Sequence, residues 1–91
     1  MTPTELRERI TILFEQERTR CLNLAIAALN DGDQAEALRQ GEWARYYKSR
    51  LDMLDEGGDP ELVAREALSV HQARAACARA GKPTRAPQWA Q

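Results

Sequence analysis

From Thr4 to Asp31 the chain contains neither glycine nor proline. An unbroken run of that length, rich in Ala, Leu, Glu and Arg, has one economical solution, a single long helix. Its start is marked by Thr2 as a cap, Pro3 at the first helical position and Glu5 closing a Thr-x-x-Glu box. Asn30-Asp31-Gly32 ends it, because Gly32 can take the left-handed conformation. The first helix is therefore expected over residues 3–30, on the order of 40 Å long.

The same punctuation recurs twice. Asp33 and Glu36 form a second box that opens a helix over residues 34–55, closed by Glu56-Gly57-Gly58. Asp59-Pro60 opens a third that runs to about residue 80, where Gly81 and Pro83 stop it. A connection as short as 31–33 forces the first two helices antiparallel. The expected fold is all-α: an αα-hairpin of two long helices plus a third, in one domain over 1–82, with an extended tail over 83–91. Glu5–Arg9 and Glu61–Arg65 stand at the i,i+4 spacing that supports helices.

Helical spacing also assigns faces. On the first helix Ile10, Phe14, Glu17, Cys21, Leu24 and Ala28 make a coiled-coil-like seam, widened by Leu6 and Leu13. The matching stripe on the second is Ala37/Leu38, Gly41, Ala44, Tyr47, Leu51 and Leu54. A turn at Gly32 makes facing residue numbers sum to roughly 63–65, which sets Leu24 against Gly41 and Cys21 against Ala44. Gly41 among small neighbours then reads as a close helix crossing. Glu17, beside Tyr47 and Lys48 in this register, either fixes the pairing or reaches solvent.

Such a chain has little bulk to bury. Leu, Ile, Val and Phe together number 16, against 15 alanines. A small domain with so few large side chains commonly completes its burial with a second copy of itself. Cys21 to Leu29 is apolar on every side except Asn23, and a helix apolar all round is surrounded. Leu22, Ile26 and Leu29 are the expected oligomer interface, and a helical-bundle homo-oligomer the expected assembly.

The nine residues of that segment are far short of the roughly 20 a membrane span needs. Met1 to Glu8 lacks the apolar core of a secretory leader, so a cytoplasmic location and no membrane partner are expected. Net charge is −1, but residues 1–66 carry all 14 acids against nine bases, and residues 67–91 carry four bases and no acid. The basic end matches either the acidic body of its own assembly or a nucleic acid. The excess of Arg over Lys follows, with the abundant Ala, from a GC-rich coding sequence.

Nothing in the pattern points to catalysis, a metal or a cofactor. His71 is the single histidine, and Cys77 six residues on falls on another helix face, so a packed or surface histidine is the simpler reading. Cys21 and Cys77 read as small buried hydrophobes. Gly57-Gly58-Asp59-Pro60 is a turn and a cap rather than a phosphate loop.

One surface stands out. Arg39, Trp43, Tyr46, Arg50 and Met53 follow a 4-3-4-3 spacing on the side of the second helix away from the first. These residue types dominate interface hot spots. Two readings stand: a partner-binding face, or the ground on which the third helix docks. Trp89, near the end of the tail, is either an anchor or a ring awaiting a partner. The functional expectation is a non-enzymatic protein–protein interaction module, a small adaptor or inhibitor acting as a homo-oligomer. The alternative is a nucleic-acid or nucleotide-binding oligomer using Arg39, Arg50 and the basic tail. In general build alone, the hairpin resembles the small adaptor and inhibitor proteins of bacteria and their phages.

Overall fold

Each helix begins on a side-chain cap. The hydroxyl of Thr2 accepts the Glu5 amide at 3.2 Å, a carboxylate oxygen of Asp33 accepts that of Glu36 at 3.1 Å, and Asp59 accepts that of Glu61 at 2.9 Å. In the computed structural model, which describes residues 1–87, these caps start α1 (Pro3–Asn30), α2 (Gln34–Asp55) and α3 (Pro60–Arg79). Glu36 does not return to its cap; its carboxylate holds Arg39 and Gln40 instead.

All three helices end in one way. Gly32, Gly57 and Gly81 adopt positive φ, and the amide beyond each reaches back to the carbonyl five residues earlier: Asp33 to Ala28, Gly58 to Met53 and Lys82 to Cys77. This is the Schellman arrangement, and it satisfies carbonyls that a helix end otherwise leaves open.

The hairpin is the backbone of the fold. Ile10, Phe14, Cys21 and Ala28 of α1 are buried, as are Ala37, Ala44, Tyr47 and Leu54 of α2. The paired stripes thus form at most of the expected positions. Leu24 and Leu38 do not join them: both are exposed, because Cys21, Ala28 and Ala37 hold the contact line and turn these neighbours outward. Leu13 is exposed as well, and Leu6 only packs against the core from its edge. Glu17 takes the solvent-side option, its carboxylate binding Arg20 at 2.7 Å.

Gly41 departs from expectation more sharply. A Cβ built there meets nothing within 4 Å, so the glycine lies over open space and not in a tight crossing. The small-residue stripe leaves a groove where a close contact was expected.

Helix α3 docks on rings rather than on backbone. Val63 and Ala67 are buried against a cluster containing Trp43, Tyr46 and Tyr47. Tyr47 is its centre, 5.6 Å from Phe14 and 5.2 Å from Tyr46 between ring centroids, and its ring stacks on His71 at 5.9 Å. Small residues on α3 facing large rings on α2 are how a chain with few aliphatics fills its middle. At the far end, Arg7 donates to the Gly58 carbonyl at 3.4 Å and ties the start of α1 to the second turn.

Candidate protein-interaction site

The stripe Arg39, Trp43, Tyr46, Arg50 and Met53 faces α3 and the C-terminal segment, not solvent. Trp43, Tyr46 and Arg50 are buried within the single chain. The Arg74 guanidinium lies 4.4 Å from the Trp43 ring centroid, and the indole Nε1–H donates to the Thr84 carbonyl at 2.9 Å. Arg50 holds Glu66 of α3 through two oxygens, at 2.9 and 2.8 Å. Arg39 is half-buried beside Glu36, and only Met53 is exposed. The expected open binding face is therefore an internal contact. Glu66, His71 and Arg74 of α3 cover it through Arg50, Tyr47 and Trp43. Trp89 lies outside the described residues.

The segment after α3 follows the same ring. Residues 82–87 have no regular structure, yet Ala86 is buried and Arg85 binds Glu42 of α2 through both guanidinium and carboxylate edges. The basic end therefore meets acid of its own chain at this point, while Arg79 and Lys82 stay exposed with no ion-pair partner among the described residues.

The open surface lies elsewhere. Leu22, Ile26 and Leu29 recur at i, i+4, i+7 on α1 and are 42, 58 and 61% exposed; Leu38 of α2 is 69% exposed. Ile10, Leu13, Glu17 and Arg20 border α3, and at 3.6 residues per turn the 22/26/29 row sits about half a turn away from them. The row therefore lies on the side of the hairpin that α3 leaves bare. Between Leu29 and Leu38 runs a groove of about 430 Å³, lined also by Ala37, Gly41, Glu42 and Arg45. Sequence spacing identified the α1 row but assigned Leu38 to the seam. The signal that separates Leu38 from Ala37 is weak, since adjacent helix positions differ by only 100° and either can face the partner helix.

The flanks of this patch are charged. Glu42 and Arg45 line its groove, and toward the middle of the hairpin Arg18 stands with Glu15, Lys48 and Asp52. Arg18 and Arg45 form no ion pair among the described residues.

A second apolar groove, about 370 Å³, separates α1 from α3 between Leu13 and Leu68, with Glu17 and His71 at one end. Its histidine is accounted for by packing. Burial holds His71 below the usual histidine range, with Arg74 and Arg20 adding to the shift and Glu17 opposing it. Burial likewise pushes the Tyr47 hydroxyl up to about 12, and its oxygen lies 3.3 Å from His71 Nε2, within hydrogen-bond distance.

Burial of the ring couples His71 protonation to folding. Just below the ordinary pKa of about 6.5, the unfolded chain binds more protons at this ring than the folded chain does. Stability is therefore expected to be intact above about pH 6.5 and to fall as pH drops below it, until the folded ring protonates too. Melting curves of wild type and His71→Gln from pH 7.5 to 5 test this. The wild type should lose stability more steeply, and parallel profiles would show that His71 titrates equally in both states.

Cys21 is fully buried and burial pushes its thiol up, the opposite of what a nucleophile requires. Among the described residues no group of three or more His, Cys, Asp or Glu is placed to hold a metal ion, and no helix is long and apolar enough to cross a membrane. Comparison with protein-family models, with curated proteins and with solved structures finds no match to this chain.

Proposed function

We propose that the chain is a non-enzymatic protein–protein interaction module, a small adaptor or inhibitor that works as a homo-oligomer. One observation carries the reading: four large aliphatic side chains, Leu22, Ile26, Leu29 and Leu38, cluster exposed on the bare side of the hairpin. Contiguous apolar patches on a soluble chain mark interaction sites, whereas scattered apolar residues need no explanation. Burying each half-exposed side chain is worth roughly 1 kcal/mol, so four of them on each of two copies is a substantial driving force. The nucleic-acid reading has less support, because Arg39 and Arg50 are engaged by Glu36 and Glu66 and Arg85 by Glu42.

Light scattering at micromolar concentration tests the proposal. The wild type should report at least twice the 10.3 kDa chain mass. Ile26→Glu should return the chain mass with helicity unchanged, since that side chain packs against nothing essential within the monomer. A wild type that stays at the chain mass throughout would overturn the reading.

A further inference from the structure

Three cations of the chain meet at one small cavity. It encloses about 200 Å³ between the N-terminal half of α2, the last turns of α3 and the segment that follows, lined by Glu36, Arg39, Trp43, Arg74, Lys82 and Thr84. Three bases face one acid there, a net charge of +2. The larger cleft beside Lys48 is balanced by contrast, with Arg7, Arg18 and Lys48 against Glu15, Asp52 and Asp55.

The one acid is already engaged. One oxygen of Glu36 accepts from Arg39 and the other from Gln40, each at 2.7 Å. Arg39 gives that carboxylate its Nε and Nη2, which leaves its Nη1 for another acceptor. Arg74 is half-buried, 4.4 Å from the Trp43 ring centroid, and forms no ion pair among the described residues. Lys82 likewise has none. A ring face offsets part of the cost of drawing a guanidinium from water but leaves its charge unneutralised.

Anchors on each element hold this arrangement. Glu36 orients Arg39 within α2, and the Trp43 ring seats Arg74 of α3. The C-terminal segment is pinned by the Lys82 amide on the Cys77 carbonyl and by the Thr84 carbonyl on the Trp43 indole. Cations thus reach one volume from three elements. A carboxylate carries a single charge and is satisfied by one guanidinium edge, whereas a phosphate monoester carries close to two charges near neutral pH and presents three acceptor oxygens.

We infer that this cavity binds the phosphate group of a small molecule, with Arg74 and Lys82 neutralising it and Arg39 Nη1 donating to it. The site lies on the α3 side, apart from the row Leu22, Ile26, Leu29 and Leu38, and does not rest on the interaction-module reading.

Isothermal titration of the full chain with inorganic phosphate, glycerol phosphate and acetate, at matched ionic strength, tests the site. Both phosphates should bind with a Kd of about 1 mM, and acetate about tenfold more weakly or worse. Glycerol phosphate binding more than about threefold tighter than inorganic phosphate identifies an ester as the ligand, and equal affinities identify the free ion. Lys82→Glu, at an exposed position, should weaken phosphate about tenfold with helicity by circular dichroism unchanged. Arg74→Gln should abolish measurable binding. Because that change also strips Trp43 of its stacking partner, Lys82→Glu decides the outcome where Arg74→Gln loses helicity. A wild type that binds no phosphate at about 20 mM, or acetate bound as tightly as phosphate, overturns the site. So does a folded Lys82→Glu that binds phosphate like wild type. All three results leave the interaction module standing, since neither altered residue belongs to its apolar row.

Discussion

Trp43→Ala is expected to lower the unfolding free energy by about 3–5 kcal/mol, the cost of removing a large aromatic side chain from a packed interior. The ring is 2% exposed and holds three elements together. It meets Tyr46 edge-on at 5.7 Å within α2, carries the Arg74 guanidinium of α3 on its face, and anchors the Thr84 carbonyl of the C-terminal segment. Truncation empties the cavity, strips Arg74 of its aromatic support and releases residues 84–86 from α2. For a domain of this size each kcal/mol is worth about 4–8 °C, so the melting temperature should fall by well over ten degrees. Trp43→Phe keeps most of the volume but loses the indole N–H, and it should fall between the two. An Ala variant that melts like wild type would place the ring on the surface and return this stripe to the list of binding faces.

Glu66→Ala is expected to have the second largest effect, on the order of 3 kcal/mol. Its carboxylate accepts both hydrogen bonds from the Arg50 Nη1, and the side chains are 22 and 9% exposed respectively. Breaking a buried pair by removing one partner costs about 3–5 kcal/mol, because the other charge stays desolvated. The low end applies here, since Glu66 keeps some access to water. The guanidinium also lies 5.8 Å from the Tyr46 ring centroid, so it cannot leave its seat without disturbing the core. Replacing both partners with apolar residues of similar size, as in Arg50→Met/Glu66→Leu, should recover most of the loss. Chemical denaturation of the wild type and the two variants decides it. A single variant costing no more than about 0.5 kcal/mol would show the pair behaving like an exposed surface bridge.

Helix existence and limits were legible residue by residue, because caps and stops are local. Thr2, Asp33 and Asp59 each bond an amide two or three residues away, and Gly32, Gly57 and Gly81 each close a turn built from their immediate neighbours. The hairpin followed from those same residues, since three residues between two long helices permit only an antiparallel return. The exposed row Leu22, Ile26 and Leu29 was legible for a related reason: period alone places these side chains on one stripe of α1.

What lay beyond reach was the direction from which α3 arrives. The four residues between α2 and α3, 56–59, allow α3 to fold back over either side of the hairpin, and both sides carry apolar residues. The choice rests on contacts far apart in sequence: Glu66 with Arg50, Arg74 with Trp43, His71 with Tyr47, and Thr84 with Trp43. None has a local signature. Once α3 takes the side with the rings, Trp43, Tyr46 and Arg50 become core and the aliphatic side is left bare. Sequence by itself thus determined three helices, their ends and the hairpin, through short-range hydrogen bonds and periodicity. The tertiary structure decided which of two amphipathic faces is interior, because that depends on ion-pair, ring and hydrogen-bond contacts between residues far apart in sequence.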